Sequence, residues 1–223
     1  MISEINRNDH ISLQTDINTV DISLLNSYYS ISNNAGMTSS QLVYATINQS
    51  FSPADLALFQ STFNIPNQPV TIVKGGHNKD SACIDINSCG EGNLDVQYIM
   101  AVSRNANTTF YYTDSIWTQF LKDVSSMLYV PYVISISYAS YEYTMATDLT
   151  KQFDIEAQKL GLRGVTIVAA SGDDGVAGFD LDGASACGYK PYFPQTSPFV
   201  TVVGGSEGPE KNNPEIALSL IHI

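Results

Sequence analysis

Tyr132-Val133-Ile134-Ser135-Ile136-Ser137-Tyr138 and, one helix-length later, Val165-Thr166-Ile167-Val168-Ala169-Ala170-Ser171-Gly172-Asp173 decide the reading of the fold. The first is a nearly continuous β-branched run, the pattern of a strand buried on both faces of a parallel sheet. The second is an apolar strand that runs out into an acidic turn. Between them Ala146–Leu160 has a helical pattern, and Gly161 offers a C-cap. Strands that alternate with helices of this length predict an α/β fold with a mostly parallel sheet. In such sheets sites form beyond the carboxyl ends of the strands, which is where Asp173 falls.

The alternation continues outward from this unit. Gln41–Asn48, Val70–Val73, Thr108–Tyr112 and a buried Phe199–Val203 read as further strands. Ser52-Pro53-Ala54-Asp55 opens a helix, with Ser52 as N-cap, Pro53 in the first turn and Asp55 near the positive end of the dipole. Leu56, Phe59 and Phe63 continue it as an apolar stripe. Ser115–Ser125 reads as a helix, and so does Gly92–Ser103 with Leu94, Tyr98 and Val102. Residues 1–20 are polar and aperiodic and read as a linker. There is no internal repeat.

Glu91 and Asp95 carry the chemistry. On a helix, an i,i+4 spacing brings both carboxylates to one face. Two close carboxylates do not both ionise cheaply, so the pair holds a proton and serves as a general base at acid pH, where histidine is charged. Taken alone, such a pair is more often a solvated helix face. Ser171-Gly172-Asp173-Asp174-Gly175 adds a second acidic element, and alone it also suits an ordinary strand-exit turn. Together the two suggest an acid-acting peptidase.

Composition narrows the classes. A chain of 223 residues with 43% hydrophobic residues and 10% aromatics is globular and long enough for one good core. The formal net charge of −12 argues against a nucleic-acid partner. No apolar run approaches the ~18 residues of a membrane helix, and Met1–Arg7 lacks a signal-peptide pattern. Gly204-Gly205-Ser206-Glu207-Gly208 formally matches a hydrolase nucleophile elbow, but Pro209 and a polar run follow where a helix is required. His10, His77 and His222 are badly placed for a Ser-His-Asp triad, and no glycine-rich phosphate loop opens a helix. Asp180-Leu181-Asp182-Gly183 lacks the downstream glutamate of a calcium loop.

Cys83 and Cys89 bracket a short loop just before Glu91, and the residues leave a disulfide and two free thiols equally open. Cys187 has no evident partner. A zinc site is disfavoured because no histidine lies near the cysteines. Asn48-Gln49-Ser50 and Asn107-Thr108-Thr109 are glycosylation sequons. Leu218–Ile223 is the translation of CTG TCT CTT ATA CAC ATC, which matches a common transposase sequencing adapter. These six residues are read as an assembly artefact, with the natural sequence expected to stop near Ala217.

Phe51–Phe59, Glu91–Tyr98, Ile134–Tyr138, Ser171-Gly172-Asp173 and Phe193-Pro194-Gln195-Thr196-Ser197-Pro198-Phe199-Val200-Thr201-Val202-Val203-Gly204-Gly205 together resemble the sedolisin (serine-carboxyl) peptidase family over about residues 22–217. The resemblance implies a subtilisin-like α/β fold with helices on both faces, of which residues 21–217 would be the N-terminal portion of the catalytic domain. It implies a serine-type endopeptidase or tripeptidyl-peptidase acting in acid. Carried over by position, Glu91 is expected to be the general base, Asp95 its partner, and Asp173 the oxyanion-hole acid, protonated so that it can donate.

In the family the nucleophilic serine sits in a Gly-Thr-Ser type motif after the Gly204-Gly205 strand, and no such motif occurs here. The family's calcium site is also C-terminal. The chain is therefore expected to be truncated, inactive as it stands, and without the calcium that the full-length protein would bind. Ala139-Ser140-Tyr141-Glu142 depart from the Gly and acidic residues usual in the family, in a segment expected to line the substrate cleft. Expected partners are a peptide or protein substrate and the protein's own prosegment, of which residues 1–20 would be a remnant. The protein is expected to be monomeric, in a secreted, extracellular or lysosomal acidic setting. Two other classes stay open, a non-catalytic binding or scaffolding relative and a small-molecule-binding α/β domain. The latter predicts no convergence of Glu91, Asp95 and Asp173.

Overall fold

The computed structural model describes residues 20–32, 38–115, 117–173 and 190–217. The leading segment up to residue 19, the stretch 174–189 with Cys187 and the acidic Asp180–Gly183 motif, and the tail from 218 lie outside the described residues. In chain order the first elements are α1 (Ile22–Tyr28), β1 (Ser40–Ala45), α2 (Pro53–Thr62), β2 (Ile72–Lys74), α3 (Ile86–Val102) and β3 (Asn107–Tyr112). Then come α4 (Trp117–Ser125), β4 (Val133–Ile136), β5 (Ser140–Tyr141), α5 (Thr147–Leu162) and β6 (Thr166–Ala170). The last are β7 (Tyr192–Phe193), β8 (Thr201–Val203), β9 (Ser206–Glu207) and β10 (Ile216–Ala217).

Six strands form one parallel sheet in the order β2-β3-β1-β4-β6-β8. Side chains alternate across a strand, so β1 feeds two cores at once. Leu42 and Tyr44 join Ile134, Ile136, Ile167 and Ala169 on one face, under Phe120, Leu121 and Val124 of α4 and Phe153, Ala157 and Leu160 of α5. Val43 and Ala45 join Phe110 and Tyr112 on the other, under Leu56 of α2 and Val96 and Met100 of α3. Burial of each large side chain contributes about 1.5–3 kcal/mol, and helices cover both faces. A smaller cluster, Ile22, Ile65 and Ala101, fastens α1 to α3.

Several boundaries differ from the sequence reading, each for a local reason. Strand β1 stops at Ala45 because Ile47 and Asn48 turn through positive φ of 54° and 57°. Helix α3 begins at Ile86, not Gly92. Asp85 caps it, its carboxylate accepting from Ser88 N at 2.9 Å while Ser88 Oγ reaches back to Asp85 N at 3.2 Å. Helix α5 runs through Gly161 to Leu162, and the left-handed glycine beyond it is Gly164, at φ 82°. Strand β8 forms at the sheet edge and its three residues are exposed, so Phe199–Val203 is not the buried strand expected. Helix α1, which the apolar pattern did not announce, is capped by Asp21, whose Oδ1 accepts from Leu24 N at 2.7 Å.

Candidate active site

Helix α3 is held against the loop after β1 mainly by polar contacts. Asn93 Oδ1 accepts from Ser52 N at 2.8 Å, and Asn93 Nδ2 donates to Asp55 Oδ2 at 2.9 Å. Gln49 Oε1 accepts from Glu91 N at 3.2 Å. The helix comes so close here that a Cβ on Gly92 would lie 2.3 Å from the Ser50 carbonyl oxygen. Glycine at 92 is thus what lets Glu91 and Asp95, on either side of it, approach the sheet.

One turn apart on α3, Glu91 and Asp95 meet Ser137, the first residue beyond the end of β4. Ser137 Oγ donates to Asp95 Oδ1 at 2.7 Å, and Glu91 lies close enough to feel the same hydroxyl. Burial pushes the Asp95 carboxyl up to about 7, with the Ser137 hydrogen bond opposing and the Glu91 charge adding. Burial also raises Glu91, the Ser137 hydrogen bond opposing it and the charge of Asp173 adding to it. Asp173 is exposed, in the turn after β6, and its charge reaches Glu91. The structure thus brings all three carboxylates predicted from sequence to one region.

Tyr138 completes the surroundings. Its hydroxyl is buried without a hydrogen-bond partner among the described residues, and burial, followed by the charges of Asp95 and Glu91, drives its ionisation far upward. Its ring meets Tyr44 edge-on, centroids 5.7 Å apart. Sequence reasoning assigned no role to Ser137 or Tyr138. The available signal was a polar residue closing a β-branched run at the carboxyl end of a central strand. Ser140–Tyr141 pairs with Tyr192–Phe193, and Tyr141 stacks between Tyr143 and Tyr192 at 5.4 and 4.9 Å. Tyr192 in turn lies against Gly172, next to Asp173.

Other clusters lie elsewhere. A cavity of about 680 Å³ opens at the amino ends of the strands, between residues such as Lys74, Tyr129 and Arg163, and contains no carboxylate of the site. Asp55, Cys83 and Cys89 bring a carboxylate and two thiols within 4.8 Å of one another. Both cysteines are free thiols. Burial first, then the hydrogen bond with Cys89, pushes the Cys83 thiol up to about 12. This donor set does not fit calcium, which takes oxygen ligands. Both sequon asparagines, Asn48 and Asn107, are exposed. Among the described residues no helix is long and apolar enough to cross a membrane.

Known proteins resemble this chain. Tripeptidyl-peptidase 1 of Macaca fascicularis is 32% identical over 176 residues, 75% of this chain and 30% of the relative. Tripeptidyl-peptidase sed4 of Aspergillus fumigatus is 32% identical over 186 residues, 72% of this chain and 31% of the relative. Tripeptidyl-peptidase 1 of Dictyostelium discoideum is 33% identical over 180 residues, 78% of this chain and 28% of the relative. The chain therefore spans about 30% of the length of the curated relatives it matches. Among solved structures, a Pseudomonas sedolisin (serine-carboxyl proteinase), complexed with two molecules of pseudo-iodotyrostatin, aligns with a TM-score of 0.59. The alignment covers 80% of this chain and 51% of that one at 23% identity, a likeness of fold. No family model matches the chain. With a six-stranded parallel sheet of subtilisin-like α/β type and these relatives, the chain belongs to the sedolisin, or serine-carboxyl, peptidase family.

Proposed function

We propose that this chain carries the acid–base half of a serine-type peptidase that works in acid. The observation that carries the reading is the meeting of Glu91, Asp95 and Asp173 at the carboxyl edge of the sheet, with both helix carboxyls raised by burial. In this reading a serine hydroxyl attacks the peptide carbonyl and its proton passes to Glu91. Asp95 holds the proton shared with Glu91, and Asp173 in its acid form donates to the developing oxyanion. Collapse of the intermediate expels the amine, which takes the proton back from Glu91. Water then hydrolyses the acyl-serine by the same route in reverse.

No Gly-Thr-Ser sequence occurs among the 223 residues. The longer protein would supply that serine, and the chain alone would hydrolyse nothing. The stacked Tyr143, Tyr141 and Tyr192, beside Gly172, would form a wall for substrate side chains. No step runs through a metal, and calcium would belong to residues beyond this chain. An acidic secreted or lysosomal setting fits the raised carboxyls and the exposed sequons.

The test is peptide hydrolysis by the longer protein across pH 3–7, with Glu91→Gln and Asp173→Asn. Each variant should lose about 10²–10⁴-fold in kcat/KM. Retention of activity by Glu91→Gln removes the reading. The second reading is a non-catalytic relative. That one holds if the longer protein also has no such serine and cleaves no peptide at any pH.

A further inference from the structure

Ser137 stands between the two carboxyls, and a count of protons shows what it can do there. Glu91, Asp95 and Ser137 are neighbours in three pairs. In the state a general base requires, one carboxyl proton and one hydroxyl proton serve those three contacts. Only two strong hydrogen bonds can therefore exist at once. The hydroxyl proton is committed to Asp95 Oδ1 at 2.7 Å. The carboxyl proton is then left for the contact between Asp95 and Glu91, where it lies on Asp95 and points at Glu91. This leaves Glu91 the ionised member, with an oxygen open to receive a proton.

We propose that Ser137 is the positioning residue of this pair, its hydroxyl fixing Asp95 through Oδ1 and so directing the shared proton onto the Glu91 contact. The inference rests on the reading of Glu91 as the base. The groups facing the pair come from every neighbouring element. They are Tyr138 beside Ser137 after β4, Tyr44 on β1 behind Tyr138, and Asp173 after β6. Among the described residues all of these are acids or phenols, and none is a cation. The Ser137 hydroxyl is therefore the neighbour that favours ionisation of both carboxyls, while burial opposes it in both, joined by the charge of Asp173 at Glu91 and the charge of Glu91 at Asp95.

The test needs no catalysis. In the 223-residue chain, the side-chain carboxyl carbons of Glu91 and Asp95 are titrated by NMR in the wild type, Ser137→Ala and Ser137→Thr. Loss of a hydrogen bond to a charged group moves the midpoints up by about one pH unit in Ser137→Ala, and Ser137→Thr brings them back. Should the alanine variant fail to fold, Ser137→Cys has nearly the same size and a weaker donor, and shifts the midpoints in the same direction. Unchanged midpoints in the variant that folds overturn the proposal. If the midpoints move and Glu91→Gln in the longer protein still cleaves peptides, the clamp stands and the assignment of Glu91 as base falls.

Discussion

Asp95→Asn should make this chain more stable at neutral pH and leave it unchanged in acid. The Asp95 carboxyl, ordinarily near 3.8, is raised to about 7 in the folded chain. Between these values the folded state binds more protons than the unfolded state, so stability falls as pH rises. The folded state has its full advantage below about pH 4 and has lost it by about pH 7. A shift of this size corresponds to about 4 kcal/mol. Asparagine keeps an oxygen to accept from Ser137 and carries no charge to bury, so it escapes this loss. The assay is urea unfolding of wild type and Asp95→Asn at pH 4 and pH 7. The two should coincide at pH 4, and the variant's midpoint should lie roughly 1–2 M higher at pH 7. The net charge of −12 also destabilises both proteins as pH rises, and the difference between them cancels that contribution. Equal changes of midpoint between pH 4 and pH 7 for the two proteins would refute the claim that burial of Asp95 governs the site.

The remaining predictions concern how α3 is placed. Gly92→Ala puts a methyl 2.3 Å from the Ser50 carbonyl oxygen, so helix or loop must move. It should cost about 1–3 kcal/mol by urea unfolding and separate Asp95 from Ser137, seen as a change in the Asp95 carboxyl titration. Asp85→Ala removes the capping box and should cost about 1 kcal/mol, with amide exchange accelerated in the first turn of α3 and unaltered in α5.

What the sequence made legible follows from how local each cause was. β-branched runs marked β3, β4 and β6, because burial on both faces of a parallel sheet leaves little choice of residue. The shared helix face of Glu91 and Asp95 was legible from spacing alone, and Asp173 from its place at a strand exit. The start of α3 was not. Gly90 and Gly92 resemble a loop, and Gly92 has its place because the Ser50 backbone, 42 positions earlier, passes over it. Ser137 escaped for the same reason. Its contact with Asp95 also spans 42 positions, and one hydroxyl at the end of a strand has no periodicity to betray it. Gly161 looked like a cap, but α5 packs Phe153, Ala157 and Leu160 into the core and continues one residue past it. Strand β8 has the composition of a buried strand and the exposure of an edge.

The same residues set stability and chemistry against each other. Helix α3 packs Val96 and Met100 on the sheet, but its first turns are held through Gln49, Asn93 and a glycine, where apolar contacts would hold them more tightly. It then carries two carboxyls into a half-buried place whose neighbours are acids and phenols. An arginine beside Asp95 would relieve the burial, but it would pull both carboxyls down and leave no shared proton. A histidine in place of Glu91 would be charged in acid and could not accept one. The arrangement is therefore least unfavourable at low pH, where the pair keeps its proton. On the proposed reading, it is also under those conditions that Glu91 would act as a base beside a protonated neighbour. Substitutions that relieve the strain on the fold at neutral pH, Asp95→Asn first among them, should remove the proton relay. On the proposed reading, stability in acid and the longer protein's activity in acid would have one physical origin, the burial of Asp95 against Ser137.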